Sequence, residues 1–218
     1  MTEFLIIRHG QTPWNVDRRI QGWRDIELND TGHQQARRLA HYLSQTTSPY
    51  QPVHAVYSSD LLRAQQTAQA LAQALSVPLA LIEAMRERNY GILEGVAFDQ
   101  MAQLHPEVAR VWQSRDPEGI IPGGETLKTF HARVTQALET LAREHQNQRV
   151  AVVTHGGAMD IIWRAATATP IQEPRKAVLL NASVNRIGIR ATDTGFDWSL
   201  IEWGNIEHLQ DSDNDLAV

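Results

Sequence analysis

Two short stretches of the chain are apolar without interruption, and both stop at the same kind of residue. Phe4-Leu5-Ile6-Ile7 runs into Arg8-His9-Gly10, and Val150-Ala151-Val152-Val153 runs into Thr154-His155-Gly156-Gly157. Uninterrupted apolar runs of this length suit strands buried on both faces, as in a parallel sheet covered by helices. His54-Ala55-Val56-Tyr57, just before Ser58-Ser59, predicts a third strand. Elsewhere the period changes. Ala36, Leu39, Ala40 and Leu43 recur at helical spacing, as do Leu61, Ala64, Ala68, Leu71 and Leu75, and then Leu127, Phe130, Val134 and Leu141. Thr31 reads as the N-cap of the first of these helices. Strands alternating with helices predict an α/β fold, a sandwich around a mostly parallel sheet.

Two segments break the rhythm. Residues 86–124 are rich in polar, glycine and proline residues, with a short helix expected over Pro106–Ser114. Loops this long inside a compact domain are commonly functional. Val184–Ala191 and Phe196–Trp203, joined by Thr192-Asp193-Thr194-Gly195, predict an antiparallel hairpin at the sheet edge. The expected organisation is one domain over 1–206, with a loop or cap insertion at about 96–121. Residues 207–218, with Asp211, Asp213 and Asp215, are expected to form an acidic, frayed tail. The edge strand over Phe196–Trp203 is a candidate for pairing across a homodimer.

Composition narrows the chemistry. The 218 residues include no cysteine, which excludes disulfides, cysteine-ligated zinc, iron–sulfur clusters and thiol nucleophiles. No apolar run approaches the roughly 18 residues of a membrane helix. The start, MTEFLIIRHG, lacks the basic and long apolar regions of a signal peptide, so a cytoplasmic enzyme with no membrane partner is expected. A net charge of −5 argues against a nucleic-acid partner.

The clearest strands end in a histidine followed by glycine, and ligands of open α/β sheets bind beyond the carboxyl ends of strands. Arg8 precedes His9, and Arg63 falls in the first turn of a helix after another strand. Arginine is suited to bidentate phosphate binding, so two histidines and two arginines at one sheet edge would make a phosphate pocket. A zinc site on the same two histidines lacks the supporting H-E-x-x-H or cysteine set, and no metal is expected. The other histidines have no comparable context; His33, His41, His131 and His145 fall in helical stretches and are expected to be solvated. The tryptophans read as packing residues, with Trp23 and Trp112 near the expected pocket mouth.

These motifs together resemble the histidine phosphatase superfamily, in the branch that holds phosphoglycerate mutases and broad-specificity phosphatases. The match is RHGQTPWN at 8–15, a GW and L…TG segment at 22–32, SSDLLRAQQTA at 58–68, RERNYGILEG at 86–95, PGGET at 122–126 and VVTHGG at 152–157. The order is the family's, and it spans most of the chain. The resemblance implies a three-layer α/β/α sandwich. It implies that His9 is the nucleophile that becomes phosphorylated, and that Arg8, Arg63 and His155 bind the phosphoryl oxygens. Asn15 and the backbone N–H of Gly156 would also face the phosphate. Glu87 would protonate the leaving oxygen, while Gln21, Gly22, Arg88 and Tyr90 would reach the substrate.

Elementary chemistry agrees. A neutral ring nitrogen attacks phosphorus, so the other nitrogen must donate a hydrogen bond, for which a carbonyl near Gly10 is the expected acceptor. Fixed cations stabilise charge spread over the equatorial oxygens, so Arg8, Arg63 and a protonated His155 would do what magnesium does elsewhere, with no cofactor. One carboxyl group can act as acid in the first step and base in the second.

The same pocket serves a mutase, which keeps its phosphohistidine dry, or a phosphatase, which admits water. Mutases of this family typically carry asparagine at the position of Gly157 and a longer basic insertion. Here Val96 to Ile121 is short and supplies only Arg110 and Arg115. Gln21 before Gly22-Trp23 also looks like the phosphatase branch. The expectation is a phosphatase acting on small organic phosphate monoesters, with Trp112, Leu104 and Ile120 giving a partly apolar mouth. The alternatives are a phosphoglycerate mutase and a non-catalytic protein that holds a phosphorylated ligand.

Overall fold

The computed structural model describes residues 1–210. Among them, six strands form one sheet: β1 (Thr2–Arg8), β2 (Ala55–Ser58), β3 (Leu79–Leu81), β4 (Arg149–Thr154), β5 (Val184–Thr192) and β6 (Gly195–Asn205). The helices are α1 (Pro13–Val16), α2 (Asp30–Ser44), α3 (Leu62–Leu75), α4 (Met101–Leu104), α5 (Pro106–Ser114), α6 (Leu127–Glu144) and α7 (Gly156–Thr167). The strand order is β3-β2-β4-β1-β5-β6. The first four of these are parallel, β5 runs antiparallel to β1, and β5 and β6 form the expected hairpin.

The alternation of side chains along β1 and β4 explains the layers. Phe4, Ile6, Val150 and Val152 face one way and pack with Phe130, Val134 and Leu138 of α6 and Ile161 and Ile162 of α7. Leu5, Ile7, Ala151 and Val153 face the other way, against Leu39 and Leu43 of α2 and Ala64, Ala68 and Leu71 of α3. Both faces of the central strands are therefore covered, which is why the sequence shows unbroken apolar runs there rather than alternation. Burying each large aliphatic chain contributes about 1.5–3 kcal/mol. The insertion at 96–121 has its own small core, in which Ile20 and Leu93 pack with Met101, Ala109 and Ile121.

Three expectations are corrected. The N-cap of α2 is Asn29, not Thr31: Asn29 is extended and its side-chain oxygen accepts from Gly32 N at 2.8 Å, which leaves Thr31 inside the first turn. The chain stays packed beyond 206. Glu207–Leu209 form a 3₁₀ turn with His208 and Leu209 buried, and the His208 ring stacks on Tyr42 with centroids 5.4 Å apart. The rest of the expected acidic tail, including Asp211, Asp213 and Asp215, lies outside the described residues. His145 is not simply solvated, because its ring bonds Tyr57 Oη at 2.7 Å and Gln148 Oε1 at 2.7 Å. No helix among the described residues is long and apolar enough to cross a membrane.

Candidate active site

Strand register builds the site. β1 and β4 pair in parallel and end level, Arg8 beside Thr154, and the pairing continues as His9 N donates to Thr154 O at 2.9 Å. The next residues, His9 and His155, therefore leave the sheet side by side, with ring centroids 5.2 Å apart. β2 ends beside β4, and α3 starts soon after it, bringing Arg63 to the same edge. The 3₁₀ turn Glu83–Met85 brings Glu87 across from the other side.

These residues border a cleft of about 410 Å³. Arg8, His9, Asn15, Gln21, Gly22, Arg63, Glu87, Tyr90, Gly156 and Gly157 line it, together with Arg19, Phe98, Trp112 and Arg175. His155 lies fully buried beneath, against His9.

The His9 ring is held in one tautomer. Its Nδ1 lies 2.7 Å from Gly10 O, and since a carbonyl can only accept, that nitrogen carries the proton. Nε2 is then the free lone pair. Burial, followed by the nearby charges of Arg63 and Arg8, holds the ring well below the usual histidine range, so it is neutral at physiological pH. Asn181 Nδ2 fixes the backbone by donating to His9 O at 2.8 Å, and Thr67 Oγ1 accepts from Gly10 N at 3.0 Å.

Several buried polar atoms of these residues have no partner within the protein: the donors Arg8 Nε and Arg63 Nε, both ring nitrogens of His155, one of which carries a proton, and the acceptor Gln21 Oε1. Buried polar groups are normally satisfied, and a cluster of orphaned donors marks a place for an anion. Arg63 otherwise grips the loop above it, donating to Arg24 O at 2.9 Å and Gly22 O at 2.8 Å. Arg8 donates to Leu179 O. Burial pulls both guanidinium groups down to about 10, still protonated at neutral pH. His155 differs from the expectation. Full burial, then Arg63, His9, Arg8 and Arg133, push it well below the usual range, so the ring is neutral rather than cationic at neutral pH in the unliganded protein.

Glu87 is held at both oxygens. Oε1 accepts from Arg88 N at 2.8 Å, and Oε2 from Gly157 N at 2.8 Å at the start of α7. Its own carbonyl accepts from Trp23 Nε1 at 2.7 Å and Arg133 Nη2 at 3.2 Å. A Cβ at Gly157 would lie 2.1 Å from Glu87 Oε1, so only glycine lets the carboxylate approach the helix end. Gly22 has the same kind of role: its φ is +52° and a Cβ there would lie 2.1 Å from Glu94 Oε1.

Some expected contacts fall elsewhere. The Arg88 guanidinium donates to Glu125 O at 3.1 and 3.0 Å and does not line the cleft; Tyr90, over which it sits, does. Asn15 spends its side-chain oxygen on Thr12 N in a capping box at the start of α1, yet still lines the cleft. Leu104 and Ile120 are exposed on the outside of the cap, and Phe98 and Ile20 join Trp112 at the mouth instead. The cap itself is poor in cations, but Arg19 and Arg175 reach the rim from outside it. Arg175 lies in the irregular segment after α7, where no periodicity or motif marks it.

A family model described as "Histidine phosphatase superfamily (branch 1)" matches residues 4–205. Phosphoglycerate mutase-like protein 4 of Arabidopsis thaliana is 37% identical over 96% of this chain and 88% of its own length. The metal-independent phosphoserine phosphatase of the same plant is 36% identical, over 96% of this chain and 84% of its own. Among solved structures, a phosphoserine phosphatase mutant from Entamoeba histolytica, in complex with phosphoserine, superposes with a TM-score of 0.79 at 27% identity, covering 96% of this chain and 100% of that one. The chain belongs to branch 1 of the histidine phosphatase superfamily.

Proposed function

We propose that this protein is a metal-independent phosphatase that hydrolyses small organic phosphate monoesters through a phosphohistidine at His9. The observation that carries this reading is the convergence of one neutral, oriented imidazole with orphaned buried donors and a carboxyl group held opposite them. The reaction divides in two. His9 Nε2 attacks phosphorus, the P–O bond to the alcohol breaks, and Glu87 gives its proton to the departing oxygen. Water then attacks the phosphorus, Glu87 takes the proton back, and the P–N bond breaks to release phosphate. Arg8, Arg63, the His155 N–H and the Gly156 N–H receive the equatorial oxygens, with Asn15 and Gln21 completing the wall.

The charge that a metal would neutralise is met here by two buried guanidinium groups. Hydrolysis of para-nitrophenyl phosphate should therefore continue unchanged in excess EDTA, and orthovanadate, which adopts the trigonal bipyramid of the transition state, should inhibit more tightly than inorganic phosphate. Loss of turnover on chelation, restored by a divalent cation, would refute the metal-independent reading.

Glycine at 157 supports the phosphatase reading, since mutases of the family typically carry asparagine there, and a Cβ at this position would meet Glu87 Oε1. Gly157→Ala should slow the first turnover of alkyl phosphates by about 10–100-fold, while nitrophenyl phosphate, whose leaving group needs no proton, should keep a fast first release of nitrophenolate even as water attack slows. Equal slowing of the first turnover on both substrates would mean that the glycine serves something other than the acid. The mutase reading rests on the names of relatives, the plant phosphoglycerate mutase-like protein and a probable phosphoglycerate mutase of Escherichia coli that is 31% identical over 96% of this chain. An isomerisation assay on phosphoglycerate primed with bisphosphoglycerate tests it, and little or no isomerisation beside ready hydrolysis is the expected result.

A further inference from the structure

A second cavity of about 290 Å³ adjoins the cleft, and Tyr90, Trp112, Gly157 and Arg175 line both. One carboxylate beside it, Asp160, faces three guanidinium groups. Asp160 Oδ2 accepts from Arg115 Nη2 at 2.9 Å and Arg164 Nε at 3.0 Å. Arg175 Nε stands off at 3.5 Å from Oδ1, an oxygen that is buried and forms no hydrogen bond. Arg164 in turn donates to Pro170 O at 2.6 Å and Glu173 O at 3.0 Å, so this pair fixes the turn that presents Arg175.

The single negative charge of Asp160 is thus engaged by the two closer arginines, and the third is the most weakly matched. Arg175 is also 44% exposed and is the member of the trio that reaches the cleft. Its charge is felt at the floor, where it lowers Arg8 and works against the rise of Tyr90. The other rim cation, Arg19, donates to Gly95 O at 3.0 Å, lies 3.8 Å from Asp17, and does not line the second cavity.

Position supplies the rest. Arg8, Arg63 and His155 face the phosphoryl group, whereas Glu87 must meet the ester oxygen. The alcohol part of a substrate therefore leaves the floor on the Glu87 side, along the wall of Gly157, Tyr90, Trp112 and Arg175. We infer that Arg175 is the specificity-determining residue for the leaving group: it binds the carboxylate of substrates whose alcohol part carries one and so sets the preference for them over uncharged esters. The inference rests on the phosphatase reading and adds the residue that reads the leaving group. A guanidinium fork matches a carboxylate in two parallel hydrogen bonds, and the shared Asp160 holds it at the boundary without neutralising it.

The test compares 3-phosphoglycerate with glycerol 3-phosphate, which differ by a carboxylate against a hydroxymethyl group. The wild type should favour 3-phosphoglycerate in kcat/KM. In Arg175→Gln the ratio between the two should fall by about 10–100-fold, the scale of a lost charge-assisted hydrogen bond, with most of the loss in KM. Arg175→Lys keeps the charge but not the fork and should recover part of the ratio. A ratio unchanged in Arg175→Gln, or no wild-type preference while nitrophenyl phosphate is turned over, overturns the inference and leaves the phosphatase reading intact. Failure of the wild type to hydrolyse nitrophenyl phosphate as well overturns both.

Discussion

His9→Ala should abolish turnover, lowering kcat on every phosphate monoester by about 10⁴-fold or more, equivalent to roughly 5 kcal/mol of barrier. The size follows from what is lost. His9 Nε2 is the nucleophile of the proposed reaction, and the surrounding donors have nothing to stabilise if attack does not occur. The folded state should persist, because the ring makes one side-chain hydrogen bond and that bond is to its own neighbour's carbonyl. Binding should persist as well: Arg8, Arg63 and His155 remain, so inorganic phosphate or an uncleaved ester should still raise the unfolding temperature. The check is steady-state hydrolysis alongside thermal shift with phosphate. Retained turnover in the variant would remove His9 from the mechanism.

Glu87→Gln should act differently on different substrates and on different steps. The amide keeps the shape of the carboxyl group but cannot give or take the proton. On alkyl phosphates, kcat should fall by about 10²–10⁴-fold, the usual contribution of a positioned acid–base group. On para-nitrophenyl phosphate the first step needs no acid, so the P–N bond should form quickly while water attack, now without a base, becomes slow. The expected trace is a burst of nitrophenolate approaching one equivalent per chain, followed by slow turnover. Uniform slowing on both substrates without a burst would place Glu87 outside the proton transfer.

Much of the fold and the site is legible in the amino-acid sequence. Where one physical requirement dominates a segment, the pattern shows it. Phe4–Ile7 and Val150–Val153 are unbroken because helices cover both faces of the sheet, and the spacing in α2, α3 and α6 follows their buried stripes. β3, at the outer end of the sheet and only Leu79–Leu81, is too short to establish a period. Thr31 and Asn29 are both capable caps, and only the backbone geometry chooses between them. Arg88 sits in the right motif, but its guanidinium is committed to Glu125 O, a partner on a distant segment.

Charge state is the least legible feature. A histidine in a phosphate pocket invites a positive charge, yet His155 is neutral because burial and arginines from β1, α3 and α6 act on it together. That sum exists only after folding. Arg175 is hidden in the sequence for a related reason. Its meaning comes from a carboxylate on α7 shared with Arg115 and Arg164, and of those contacts only the Asp160–Arg164 pair, four residues apart on α7, leaves a local spacing in the sequence.

The central claim is a covalent phosphoryl group on His9, formed without a metal. Its most direct test is to mix Glu87→Gln with para-nitrophenyl phosphate in EDTA, quench in base to preserve the acid-labile P–N bond, and read intact mass and peptide map. The account predicts up to one phosphoryl group per chain, located on His9 and absent when His9→Ala is added to the same protein. A burst with no phosphorylated protein, or a phosphoryl group on any residue other than His9, would contradict it.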